Sequence, residues 1–108
     1  MNSTHPAQGL DNLVHQRIRL GIMAILVEVD RAEFTTIRSL LELTAGNLSR
    51  HLALLIEAGL VAQDKVPEGR RMRTWVRMTV RGRHAYAKEL TALRALVERF
   101  DSTQPEEQ

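Results

Sequence analysis

The sequence predicts a mainly α (α+β) fold: several helices, then one β-hairpin, then a last long helix. Three observations predict it. Apolar residues recur at spacings of three and four from Leu10 to Leu55. Between Leu60 and Thr79 the period drops to about two on either side of Pro67, Glu68 and Gly69, which are turn-forming residues. From Tyr86 to Phe100 the helical spacing returns.

Composition bounds what such a chain can do. Its 108 residues, 44% of them hydrophobic, suit one domain with a modest core. There is no cysteine, which excludes disulfides, thiolate metal sites and cysteine nucleophiles, and fits a reducing compartment. The net charge of +2 is too small to argue for nucleic acid by itself, so the distribution of charge has to decide. Met1 to Gly9 are polar and carry no apolar core of a secretory signal. The longest apolar stretch, Leu20 to Val29, is far short of the roughly twenty residues a bilayer requires. These features lead to the expectation of a cytoplasmic protein with no membrane partner.

Taken in order, residues 1–9 are expected to be a flexible N-terminus. A helix follows, capped by Asp11 or Asn12, with Leu10, Leu13, Val14 and Ile18 on one side. Arg19 to Asp30 reads as a nearly all-apolar central helix, with Gly21 either breaking it from the first or allowing close packing. Phe34 anchors a very short strand or tight turn. Thr35 or Thr36 caps a short helix that turns Ile37, Leu40 and Leu41 inward. Thr44 caps the next helix, TAGNLSRHLALLIEAG, whose stripe is Leu48, Leu52 and Leu55, and Gly59 occupies the left-handed position at its end. In the hairpin, Thr74, Val76 and Met78 share one face of the second strand and Arg73, Trp75 and Arg77 the other. Thr79 caps the last helix, which runs to about Phe100. Residues 10–100 form the domain, and the acidic segment 101–108 is expected to be a disordered tail.

The two helices flanking Glu42–Thr44 form a helix-turn-helix candidate. With the leucine stripe buried, the start of the second helix presents Ala45, Gly46, Asn47, Ser49, Arg50 and His51. Small residues allow close approach, and Asn and Arg can pair with adenine and guanine edges. Ser49, Thr44 and the helix N-terminus suit phosphate oxygens. The hairpin adds Lys65, Arg70, Arg71, Arg73 and Arg77, with Arg81 and Arg83 just beyond, opposed mainly by Glu68. Arginine forks at a hairpin tip can follow a phosphate backbone or enter a minor groove.

The run LTAGNLSRHLALLIEAGLV and the hairpin ending RRMRTWVRMTVRGR resemble winged-helix transcriptional regulators of the MarR/ArsR type, in particular a compact bacterial group. The resemblance covers about Leu10 to Val97. It implies a winged helix-turn-helix with a two-stranded wing and a C-terminal dimerisation helix, binding double-stranded DNA as a homodimer. It places Asn47, Ser49, Arg50 and His51 at the major groove and Arg70, Arg71 and Arg73 on the wing, and Thr36, Thr44 and Lys65 are further expected DNA contacts. Typical MarR proteins have longer terminal helices that often enclose an effector pocket. The short elements here argue against one, and the sequence names no small-molecule effector.

Tyr86, Leu90, Leu93, Val97 and Phe100 form a heptad-like seam. Leu90, Leu93, Val97 and Phe100, with Leu10, Leu13 and Val14, are the expected two-fold interface. Trp75 is expected to pack beside the last helix or stack on an arginine. His5, His15, His51 and His84 are scattered and form no ligand pair, so neither metal nor cofactor is expected. No nucleophile elbow or glycine-rich phosphate loop occurs, so the chain is not expected to be an enzyme. The same features also suit a winged-helix protein-interaction module whose basic wing meets an acidic protein rather than DNA.

Overall fold

The computed structural model describes residues 5–103. Among those residues are five α-helices and three strands: α1 (Asn12–His15), α2 (Arg17–Val27), β1 (Ala32–Glu33), α3 (Phe34–Leu40), α4 (Ala45–Glu57), β2 (Val61–Glu68), β3 (Arg71–Met78) and α5 (Val80–Ser102). The strands form an antiparallel sheet in the order β1-β3-β2. A single core of Ile22, Met23 and Leu26 from α2, Ile37 from α3, Leu48, Leu52 and Leu55 from α4, and Val61, Val76 and Met78 from the sheet joins the layers.

The helical N-terminal region is divided differently from the sequence expectation. The break falls at Gln16, whose backbone turns to the extended side of ψ and whose side-chain oxygen accepts from the N–H groups of Ile18 and Arg19. That captures the orphan donors of a new helix start, so α1 is a single turn. Gly21 lies inside α2, where a Cβ would approach Leu41 Cδ2 to 3.1 Å, so its role is close packing of α2 on α3's end. Part of the segment expected to be flexible is structured: Pro6–Gly9 form a 3-10 helix capped by His5 and packed against α5.

The very short strand is Ala32–Glu33, paired with Val76 and Trp75. α3 then starts one residue before the threonines expected to cap it. Glu33 is the cap residue, and Thr35 spends its hydroxyl on the Glu33 carboxylate. Leu40, expected to face inward, is exposed. α3 ends in a Schellman arrangement: the N–H groups of Glu42 and Leu43 donate to the carbonyls of Ser39 and Arg38, with Glu42 left-handed at φ 53°. α4 ends in the same way, with Gly59 at φ 77° and the N–H groups of Gly59 and Leu60 donating to Ile56 and Leu55.

The hairpin is longer and its turn tighter than expected. Pro67 and Glu68 belong to β2, opposite Met72 and Arg71, leaving only Gly69 and Arg70 in the loop. Positive φ at Gly69 alone fits the type II′ pattern. Pro67 is tolerated because β2 is an edge strand.

α5 is anchored at its start. Thr79 Oγ1 donates to Gly59 O and accepts from Gly82 N–H, and Thr79 N–H donates to Leu60 O. Further along, Glu89 is buried and bridges to the N-terminal segment. Its carboxylate accepts from Asp11 N–H at 3.0 Å and from His15 Nδ1 at 2.6 Å. α5 therefore buries a second face, Gly82, Glu89 and Ala92, besides the apolar seam. Within that seam, Leu90 and Leu93 are half-buried while Val97 and Phe100 are exposed. Val14, expected at a subunit contact, lies in the protomer's own core and is fully inaccessible. Leu10 and Leu13 are half-buried. The helix continues to Ser102, so the tail expected from residue 101 starts helical, and residues 104–108 lie outside the described residues.

Candidate nucleic-acid interface

α4 presents its first turn as the sequence implies. Thr44 is the cap, its Oγ1 accepting from Asn47 N–H at 3.1 Å. Thr44, Ser49 and Arg50 are exposed and Asn47 is half-buried. Arg50 donates one guanidinium N–H to Asn47 Oδ1 at 3.1 Å. The pair holds both side chains on one turn while leaving most of Arg50's five donors and the Asn47 amide N–H groups unspent. A Cβ placed on Gly46 would meet nothing within 4 Å, so the opening turn is flat as well as polar.

His51 does not belong to this surface. It is buried at 6% exposure, and its Nδ1 lies 3.2 Å from an Arg19 guanidinium nitrogen. It falls on the leucine side of α4, between Leu48 and Leu52. Burial, then the charges of Arg19 and Arg50, hold its pKa below the ordinary histidine value.

The hairpin meets α4 at a cleft of about 190 Å³ lined by Ser49 from α4, Gln63 and Lys65 from β2, Thr74 from β3, and Phe34. The cross-strand pairs Lys65–Thr74 and Gln63–Val76 place these residues on the sheet face that also carries Val76 and Met78. Ser49 and Lys65 are thus brought together, with Gln63 and Thr74 beside them, two residues the sequence did not single out. Thr36 is not part of this group. It is exposed on α3 and lines a different groove, with Ile25, Leu40 and Trp75.

The opposite face of the hairpin is an alternating lattice of charge. Arg73 reaches Glu68 at 2.6 Å and Glu33 at 3.3 Å, and Arg77 reaches Asp64 at 3.7 Å. Trp75, between them, carries the Arg31 guanidinium 4.0 Å from its ring centroid and Arg73 at 5.9 Å. The arginine expected under Trp75 is therefore mainly Arg31, from outside the hairpin. Arg73 is engaged by two carboxylates, so the wing is opposed by more than Glu68. Among the described residues, Arg50, Lys65, Arg70 and Arg71 form no ion pair. On α4's first turn and the hairpin, these four are cations left available for phosphates or base edges.

Residues 18–97 match a family described as the winged helix DNA-binding domain. The chain belongs to that family. It is 36% identical over 69 residues to MJ0432, an uncharacterised protein of Methanocaldococcus jannaschii, covering 64% of this chain and 75% of that one. The solved structure of a transcriptional regulator homologue from Pyrococcus horikoshii OT3 superposes with a TM-score of 0.79 at 35% identity, over 84% of this chain and 90% of that one. A MarR-family regulator from Rhodococcus shares the fold, with a TM-score of 0.72 at 14% identity over 94% of this chain and 71% of that one. The two relatives above 30% identity are archaeal, so they do not support the bacterial grouping suggested by the sequence, and none of the three carries the ArsR half of the resemblance. No helix among the described residues is long and apolar enough to cross a membrane, and no cluster of three metal-ligating side chains occurs there.

Proposed function

We propose that this winged helix domain is a cytoplasmic, sequence-specific transcriptional regulator that binds double-stranded DNA as a homodimer and catalyses no reaction. The observation that carries the reading is the convergence of α4's polar first turn with the hairpin at the Ser49–Lys65–Thr74 cleft. On this reading Asn47 and Arg50 read base edges in the major groove. Thr44, Ser49 and Lys65 hold the adjacent phosphates, and Arg70 and Arg71 at the tip follow the backbone beyond. Arg73 contributes to the wing's shape rather than to contact, because its charge is already engaged.

Substitution separates the roles. Arg50→Ala costs about 1–3 kcal/mol at its own base position and relaxes preference there. Arg71→Ala weakens binding evenly across sequences and lowers the slope of affinity against salt by about one. Titration of both variants against a duplex enriched from a random pool, at two salt concentrations, checks this. Equal affinities for wild type and both variants would remove the assignment, and no duplex binding at low salt would favour the acidic-protein reading instead.

The homodimer is supported by the apolar side chains that α5 leaves uncovered. Val97 is 60% and Phe100 63% exposed, continuing the half-buried Leu90 and Leu93. We assign these side chains, with the half-buried Leu10 and Leu13 of the N-terminal segment, to the two-fold contact. Light scattering at micromolar protein is expected to give twice the chain mass, and Phe100→Glu to shift it toward the monomer. A monomeric wild type would refute the seam.

A further inference from the structure

The residue that connects α4 to the rest of the helical layer is one the sequence hides inside an apolar run. Arg19 is the third residue of α2, RIRLGIMAILV, yet its guanidinium turns toward two other elements. Nε donates to Leu13 O at 2.6 Å and Nη2 to Asn12 O at 3.4 Å, the carbonyls at the open end of α1. Nη1 lies 3.2 Å from Nδ1 of His51, in the middle of α4. Because a guanidinium only donates, His51 Nδ1 is the acceptor and its ring is the Nε2–H tautomer. One planar group therefore ties a helix end to the buried side of the helix proposed to read DNA.

We propose that Arg19 is a positioning residue for DNA reading, clamping α4 against α1 through His51 so that Asn47 and Arg50 are presented in a fixed orientation. This rests on the DNA-reading role proposed for α4. Arg50, one residue before His51, lies about 100° around the helix on its exposed side, so any rocking of the His51 side moves Arg50 relative to the wing. The seam residue Leu13 supplies a carbonyl to the same guanidinium, so the clamp also carries the position of the proposed two-fold contact to the reading helix.

The clamp has a built-in pH limit. A protonated Nδ1 cannot accept from Arg19, and the resulting imidazolium faces the guanidiniums of Arg19 and Arg50, the two charges that bear on it. Folding favours the neutral ring, since its folded-state pKa is depressed below the ordinary 6.5. The contribution is complete above that value and is lost as pH falls through and below it.

Two measurements on the full chain test the clamp. The first uses the free protein. Arg19→Gln is expected to speed amide hydrogen exchange across Leu48–Leu52 by about tenfold, the loss of roughly one charge-assisted hydrogen bond. Exchange at Val61 and Val76 is expected to stay unchanged. Arg19→Lys, whose single ammonium lacks the planar fork, falls between. The second is the ratio of affinities for the enriched duplex and a random-sequence duplex. Arg19→Gln lowers that ratio about tenfold. In wild type the ratio is level above about pH 6.5 and falls as the pH drops below it. His51→Asn, whose Oδ1 can accept near the Nδ1 position without titrating, flattens that profile, whereas His51→Leu, with no acceptor, lowers the ratio at every pH. Unaltered exchange across Leu48–Leu52 in a folded Arg19→Gln chain overturns the clamp. A wild type that does not discriminate between duplexes overturns the regulator reading instead, and the exchange result still decides the clamp.

Discussion

The two ends of α4 are built to opposite specifications. At its start, the side chains of Thr44, Asn47 and Arg50 hydrogen-bond only within the turn, and Gly46 faces open space. At its finish, Gly59 and Leu60 are bound from several directions: by α4's own carbonyls, by the Thr79 hydroxyl and N–H, and by the bare Cα of Gly82. The difference separates what holds the helix from what the helix can hold. Substitutions at the finish act on folding, while substitutions at the start act on a partner.

The largest expected effect lies at the finish. A Cβ on Gly82 would sit 2.0 Å from Leu60 O and 2.9 Å from Leu60 C, and both are backbone atoms that no rotamer change can move. Gly82→Ala must push the start of α5 away from the loop after α4, straining the Thr79 hydrogen bonds to Gly59 O and Leu60 O. A loss on the order of 3 kcal/mol follows, which lowers the melting temperature of a domain this size by roughly 10–20 °C. Thermal unfolding followed by circular dichroism measures it. A variant melting within about 2 °C of wild type would show that this junction yields easily, and the contrast between the two ends would fail.

Legibility in the sequence divides along the same line. Features governed by local periodicity and turn chemistry could be read directly. The bounds of α4, its Thr44 cap, its left-handed Gly59 and the two faces of β3 depend on residues within a few positions of one another. What could not be read depends on partners remote in the chain. His51 has a polar side chain at a position one turn from Leu48, and nothing local shows that Arg19 satisfies it from below. Arg73 looks as free as Arg71 until β1 brings Glu33 beside it. Glu89 reads as a solvated helix residue, yet its carboxylate is fully buried and holds Asp11 and His15. Val14 matches the apolar spacing of an outer seam, yet it is fully buried in the protomer's own core. In the last two cases a signal was present: the small residues Gly82, Ala85 and Ala92 flank Glu89 on a face of α5 beside the larger apolar seam.

At the start of α4 the smallest change in stability is expected to accompany a distinct change in binding. Gly46 is the second residue of the helix, and a methyl group there touches nothing in the protein. Alanine removes conformational freedom from the unfolded chain and favours the helix, so Gly46→Ala should raise stability by up to about 0.5 kcal/mol. If the flat first turn exists so that backbone and side chains can approach base edges closely, the same methyl group occupies space that the groove needs. Affinity for the enriched duplex should then fall about tenfold, equivalent to losing one good base contact, while affinity for random duplex changes little because phosphate contacts lie to either side. A stability gain with a loss of discrimination assigns the glycine to the partner, since folding alone gives no reason to keep it. Gly46→Ala that binds as wild type would mean that the groove does not come this close to the first turn, and would move the reading surface toward Arg50 and the Ser49–Lys65 cleft.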